Sequence, residues 1–209
     1  MSTISIIGVG TMARALGALA LAGGNTVEVV GRDAARAVEL ARALGDGATA
    51  GTFGARPAGD VVVLAVPYAA GVPLVTRYGD ALSGKVLVDV ANPFAPDLAG
   101  LLTHDRTSAA EEIAKAAPAD AHVVKAFNTV FGTVLAAHPA EGRPLDVLIA
   151  GDDGPSKASV SAFVESLGLR PLDTGPLAMA GRLEDTALVM MGLGRHGLGH
   201  FAFSLGVLG

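Results

Sequence analysis

Short runs of β-branched and apolar residues alternate along the chain with Ala- and Leu-rich stretches whose apolar positions recur at helical spacing. The pattern predicts strands over 4–8, 26–30, 60–66, 85–90, 122–127, 146–150 and 170–173, with a weaker one over 48–53. Helices are predicted over 11–22, 33–44, 68–82, 108–117 and 155–167, and most of the chain after 173 also reads as helical. Local chemistry supports several boundaries. Ser108-Ala109-Ala110-Glu111 has capping-box spacing, Pro155 suits the first turn of a helix, and Pro73 is expected to interrupt or bend the third helix. The strands have no polar face, as in Val61-Val62-Val63-Leu64, so both faces are buried, and their alternation with helices requires parallel crossovers.

The fold class that follows is α/β, a doubly wound, mostly parallel sheet with a C-terminal helical segment. A soft boundary at Gly175-Pro176 divides the chain into 1–175, the sheet domain, and 176–209, too short to be an independent domain. The stretch 92–107 is the one long irregular segment, and such loops are often functional. The apolar region 183–208 is broken by Glu184, Asp185, Arg195, His196, His200 and several glycines. It is expected as a buried or interface helix rather than a membrane span.

Composition narrows the function classes. A hydrophobic content of 51% with 17% charged residues indicates a packed core rather than disorder. A net charge of −5 lacks the basic footprint that nucleic-acid binding needs. With no cysteine, disulfides, thiolate catalysis and cysteine-ligated metals are excluded. No basic leader precedes the first strand at Ile4, so the expected compartment is the cytoplasm, with no membrane partner.

The chemistry is concentrated at strand ends. Gly8-Val9-Gly10-Thr11-Met12-Ala13 follows the first strand and opens a helix, the context in which G-x-G-x-x-A binds a dinucleotide. Gly8 permits the tight turn, Gly10 lets the backbone approach a pyrophosphate, and Ala13 lets helix and strand pack closely. This is the Rossmann arrangement, and the helix N-terminus offers free N–H groups to the phosphates. After the second strand, an NAD site carries an acidic residue for the ribose 2′-hydroxyl. Here the run is Val30-Gly31-Arg32-Asp33. Gly31 leaves room for a 2′-phosphate, Arg32 can fork onto it and stack on adenine, Arg36 adds charge one turn on, and Asp33 is the helix N-cap. The expected cofactor is NADP(H). Two further strand ends fall on the same edge, Ala65-Val66-Pro67-Tyr68 and Ala91-Asn92-Pro93, with Tyr68 expected to cover the cofactor.

With these residues in view, the chain resembles the coenzyme F420-dependent NADP oxidoreductase family over nearly its whole length. The carriers are the glycine turn, Val29-Val30-Gly31-Arg32-Asp33, Ala65-Val66-Pro67-Tyr68, the segment Val123-Val124-Lys125-Ala126-Phe127-Asn128-Thr129, and the stretch from Asp146 to Leu177 that holds Asp152-Asp153 and Gly175-Pro176-Leu177. The Lys125–Thr129 run is also similar to the reductase domain of the STEAP metalloreductases. The resemblance implies direct hydride transfer between stacked rings, which needs no nucleophile and little acid–base help. Asn128 and Thr129 are candidates to hydrogen-bond the carboxamide or the acceptor ring and so position the reacting groups. Phe127 either packs against a ring or fills the core, and Lys125 either snorkels out at the strand end or faces an acidic acceptor. The resemblance implies a homodimer through the C-terminal helix. The family resemblance makes coenzyme F420 the leading acceptor. The F420 enzymes often carry a histidine where this chain has Asn128, a departure closer to the flavin-reducing relatives, which makes FMN, FAD or a ferric chelate the alternative.

A non-catalytic NADP sensor remains a separate reading. An imine reductase like pyrroline-5-carboxylate reductase would carry a longer helical C-terminal domain. No metal is expected: the histidines (His104, His122, His138, His196, His200) are scattered, and His196 and His200, four residues apart, lack an H-E-x-x-H frame.

Overall fold

The computed structural model describes residues 2–103, 107–137 and 143–208. His104, His138 and part of the 92–107 loop lie outside them. Eight strands form one sheet: β1 (Thr3–Ile7), β2 (Thr26–Val30), β3 (Ala48–Ala50), β4 (Val61–Leu64), β5 (Val86–Asp89), β6 (His122–Lys125), β7 (Asp146–Gly151) and β8 (Arg170–Asp173). The helices between them are α1 (Thr11–Ala22), α2 (Ala34–Leu44), α3 (Tyr68–Tyr78), α4 (Ala109–Ala116), α5 (Gly132–Ala136), α6 (Gly154–Ser166) and α7 (Ala180–Gly192). The spatial order is β3-β2-β1-β4-β5-β6-β7-β8. All pairings are parallel except β6 with β7. The order therefore reverses between β1 and β4, where a crevice opens at the carboxyl ends of the strands.

Two apolar layers explain the unbroken hydrophobic strands. In β4, Val61 and Val63 join the layer under α1, α2 and α6 with Leu16, Leu40 and Phe163. Val62 and Leu64 join the layer under α3 and α4 with Leu74, Tyr78 and Ile113. A strand with successive side chains on opposite faces must be apolar at every position to serve both layers.

Local chemistry sets most boundaries. Asp33 caps α2 by accepting from the amides of Ala35 (3.0 Å) and Arg36 (3.3 Å). Ser108 and Glu111 complete the capping box of α4. Pro73 sits inside α3 without ending it, and the predicted 68–82 helix instead divides at Gly79 (φ +46°) into α3 and a 3₁₀ turn over Gly79–Leu82. The third strand is three residues long rather than six, and α5 was not anticipated.

The main correction concerns the C-terminus. The apolar run to Leu208 does not continue as one helix. α7 passes into a π-helical turn over Leu193–Leu198 and stops at Gly199, in the left-handed conformation at φ +74°. Gly192, Gly194, Gly197 and Gly199 supply little helix propensity, and a left-handed glycine is a helix terminator. Beyond it the chain is a tail. Phe201 and Phe203 pack edge-on against Phe131, with centroids 5.5 and 5.3 Å apart. The Val207 amide donates to Asp146 Oδ2 (2.7 Å), and its carbonyl accepts from Arg170 (2.8 Å) and Arg143. His196 lies in the π turn and His200 past its end, so the two do not share a helix face. No helix among the described residues is long and apolar enough to cross a membrane.

Candidate dinucleotide site

The turn after β1 is built around glycine for two different reasons. Gly8 has φ +140°, and a Cβ there would lie 2.1 Å from the Ala65 carbonyl oxygen of the next strand end. Its own amide donates to the Val30 carbonyl (2.8 Å), so the turn is fixed between β2 and β4. Gly10 is the N-cap of α1, and a Cβ on it would meet nothing within 4 Å. Whereas Asp33, Ser108 and Asp153 close α2, α4 and α6 with side-chain hydrogen bonds, α1 has no side-chain cap. The first-turn amides of Thr11, Met12 and Ala13 thus have no side-chain acceptor at the positive end of the helix. Ala13 is buried in the helix–sheet contact.

A cleft of about 720 Å³ lies over this turn. Gly8, Val9 and Gly10 form its floor, with Gly31, Arg32, Asp33 and Arg36 on one element and Ala65, Val66 and Pro67 on another. At Gly31 a Cβ would stand 3.0 Å from Val9 Cγ1, so glycine keeps the loop close to the turn. Phe53 and Arg77 also line the cleft, with the Arg77 guanidinium 5.3 Å from the Phe53 ring centroid. Among the described residues, Arg32, Arg36 and Arg77 have no salt-bridge partner. The Asp33 carboxylate is turned to the α2 amides. The cleft is therefore electropositive.

A second, smaller cleft of about 180 Å³ reaches α1 at Met12. Met12 of α1, Asn92, Phe94, Asn128, Thr129 and Phe131 line it, together with Ala187, Met190 and Met191 of α7. Asn92 and Asn128 hold each other. Asn92 Nδ2 donates to the Asn128 carbonyl, and Asn128 Nδ2 donates to Asn92 Oδ1, both at 2.9 Å. This leaves Asn128 Oδ1 buried with no partner, an acceptor with its desolvation cost unmet. Phe127, wholly buried and edge-on to Phe163, has φ +63°, a left-handed conformation that an aromatic residue rarely adopts. Backbone strain of this kind is characteristic of positions that aim a neighbour, here Asn128.

Several expected site residues are placed elsewhere. Lys125 is fully enclosed and faces neither cleft. Its ammonium donates to Asp89 Oδ2 (2.8 Å), Glu184 Oε1 (2.6 Å) and the Ala91 carbonyl (2.6 Å). An unpaired lysine in the centre of the sheet would be prohibitively desolvated, so it is buried with carboxylates from β5 and α7. Burial in turn pushes the Glu184 carboxyl up to about 7, against the opposing pull of Lys125 and with a further push from Asp89.

Tyr68 does not cover the large cleft. Its hydroxyl donates to Glu112 Oε2 (3.0 Å) on α4, and burial together with that carboxylate raises it to about 12. Ala91 serves Lys125 through its carbonyl, and Pro93 lines neither cleft. Thr11 lies beside Gly132, and His122 stands at the exposed start of β6. Sequence reasoning missed Phe53, Arg77, Phe94 and Phe131. Only Arg77 carried a signal, as a cation in the last turn of a helix.

Fold and site together define a Rossmann-type dinucleotide-binding protein. Residues 3–93 match the family described as NADP oxidoreductase, coenzyme F420-dependent. The Rattus norvegicus protein named Metalloreductase STEAP3 is 42% identical over 112 residues, 54% of this chain and 22% of that protein. An F420-dependent NADP reductase of Methanocaldococcus jannaschii is 28% identical over 141 residues, 65% of this chain and 62% of that one. The chain thus spans less than two thirds of either curated relative. Among solved structures, a candidate F420-dependent NADP reductase from Arthrobacter sp. FB24 superposes over 100% of both chains, with a TM-score of 0.83 and 28% identity. These likenesses bear out the resemblance to the coenzyme F420-dependent NADP oxidoreductases read from its motifs.

Proposed function

We propose that the larger cleft binds NADP(H) and that the protein transfers a hydride between it and coenzyme F420 held in the smaller cleft. The observation that carries this reading is a pair of clefts that meet the start of one helix without a side-chain cap, one at Gly8 to Gly10 and lined by arginines without carboxylate partners, the other at Met12 and lined by Asn128, whose side-chain oxygen is buried and unpaired. When bound, the dinucleotide supplies the transferable hydride at its nicotinamide ring. In this reading Gly8, Val9, Gly10 and the first-turn amides of Thr11, Met12 and Ala13 receive the pyrophosphate. Gly31, Arg32 and Arg36 receive the 2′-phosphate. Asn128 Oδ1 accepts from the carboxamide or the acceptor ring, with Thr129 beside it. Met12, Phe131, Met190 and Met191 exclude water, which lets the protein act by proximity without an acid or base.

Residues 1–175 then hold the dinucleotide and 176–209 supply the acceptor wall. The exposed apolar side chains Val189, Leu193, Leu198 and Phe201 suit contact with a second copy of the chain. A flavin or ferric acceptor is the second reading, favoured by the Lys125-Ala126-Phe127-Asn128-Thr129 run and by the 42% identity to a protein named as a metalloreductase.

Anaerobic NADPH oxidation with F420, FMN, FAD and ferric chelate offered separately tests the proposal. Rapid loss of the F420 absorbance with little flavin activity is the expected outcome. Activity on FMN or FAD alone supports the second reading. Tight NADPH binding with no turnover on any acceptor replaces both with a sensor.

A further inference from the structure

Arg77 stands on a different element from the other two cleft arginines and is already held in place. It occupies the last turn of α3, with its guanidinium 5.3 Å from the centroid of Phe53. Phe53 is itself anchored edge-on to Tyr78 at 5.5 Å, and Tyr78 is buried in the sheet layer. Both Phe53 and Arg77 line the cleft that holds Arg32 and Arg36. Gly54, next to Phe53, has φ +87°, and a Cβ there would lie 3.9 Å from Arg77 Nε. The β3–β4 connection therefore turns tightly beneath the guanidinium without crowding it. Arg77 is solvent-exposed, and no carboxylate pairs with it among the described residues.

An arginine stacked on an aromatic ring loses little freedom when its N–H edge takes up a ligand, since the stack has already ordered the long side chain. We propose that Arg77, preordered by Phe53, is a third specificity-determining cation for the 2′-phosphate of the bound dinucleotide. It meets the adenosine end from α3 while Arg32 and Arg36 meet it from the β2–α2 side. Three guanidinium groups facing one carboxylate that is already committed to a helix cap leave an excess of positive charge. A phosphate monoester carrying nearly two negative charges balances that excess, whereas the ribose hydroxyl of NADH does not.

The inference rests on the larger cleft being the NADP(H) site, and the experiment separates the two claims. Calorimetric titration of the full chain with NADPH, NADH and adenosine 2′,5′-bisphosphate is run on the wild type, Arg77→Met and Arg77→Lys. Met keeps the apolar stem on Phe53, and Lys keeps the charge without the fork. The expected result for Arg77→Met is a loss of about tenfold or more in affinity for NADPH and for the bisphosphate, with NADH changed less than about twofold. Arg77→Lys is expected to recover part of the loss. Equal weakening toward NADPH and NADH makes Arg77 a general adenine platform and overturns the proposal, as does unchanged NADPH affinity in Arg77→Met. In either case a wild type that prefers NADPH keeps the cofactor reading intact. A wild type that binds neither dinucleotide overturns both.

Discussion

Replacing Glu184 by glutamine should remove a loss of stability that the protein suffers between mildly acidic and neutral pH, and the structure sets the size of the effect. Glu184 is completely buried, its Oε1 accepts from Lys125 and from the Ala109 amide (3.0 Å), and its Oε2 has no partner. Burial raises its carboxyl from 4.5 to about 7. A carboxyl raised in the folded state favours the fold fully below its ordinary value, and that contribution is lost as pH rises through the folded value. The loss therefore falls between about pH 4.5 and about pH 7, because the unfolded chain ionises first. The interval corresponds to about 3 kcal/mol. Glutamine can present a carbonyl to Lys125 and Ala109 in the position of Oε1 but does not titrate. Lys125 then keeps Asp89 as its neutralising partner.

Urea unfolding of wild type and Glu184→Gln at pH 5, 6, 7 and 8 cancels the other titrating groups in the difference. Between pH 5 and pH 8 that difference should move in favour of the variant by about 2 to 3 kcal/mol. Parallel stability profiles across this range would refute the reasoning. Because α7 brings Ala187, Met190 and Met191 to the smaller cleft, the same pH change should disturb acceptor binding more than dinucleotide binding.

Other substitutions separate the roles within the clefts. Arg32→Ala should weaken NADPH binding by about 1–3 kcal/mol and leave NADH nearly unaffected, and equal loss for both in the same titration would remove it from the 2′-phosphate. Gly8→Ala drives a Cβ to 2.1 Å from the Ala65 carbonyl oxygen at φ +140°, so thermal unfolding should show a destabilisation of about 3 kcal/mol or more and no dinucleotide binding. Normal stability in that variant would mean the turn is not fixed as described. Asn128→Ala should lower kcat by about tenfold or more with little change in NADPH affinity, since Asn128 lines the smaller cleft and its Oδ1 is unpaired. An unchanged kcat would make the residue structural.

What could be read from the sequence was local or periodic. The glycine turn, the Asp33 cap and the Ser108–Glu111 capping box each act within a few residues, so residue order alone revealed them. Strands buried on both faces announced themselves as continuous apolar runs. What could not be read depended on pairing across the fold. Lys125 in an apolar strand read equally as a side chain snorkelling out at the strand end or as an acceptor contact, because nothing nearby in sequence marks Asp89 and Glu184, 36 positions before it and 59 after it, as its partners. Tyr68 had the right position for a cofactor cover, but Glu112, 44 residues on, takes its hydroxyl. Phe53 and Arg77 meet only through the packing of the β3–β4 connection against α3. At the C-terminus, hydrophobicity suggested a helix, and the glycine spacing that ends it at Gly199 carried the contrary message.

The most direct test of the account is the affinity of the chain for NADPH and NADH, measured by calorimetry under identical salt and pH. The account predicts that NADPH binds more tightly by about tenfold or more, from charge-assisted contacts to a 2′-phosphate that NADH lacks. Equal affinities, or a preference for NADH, would contradict it.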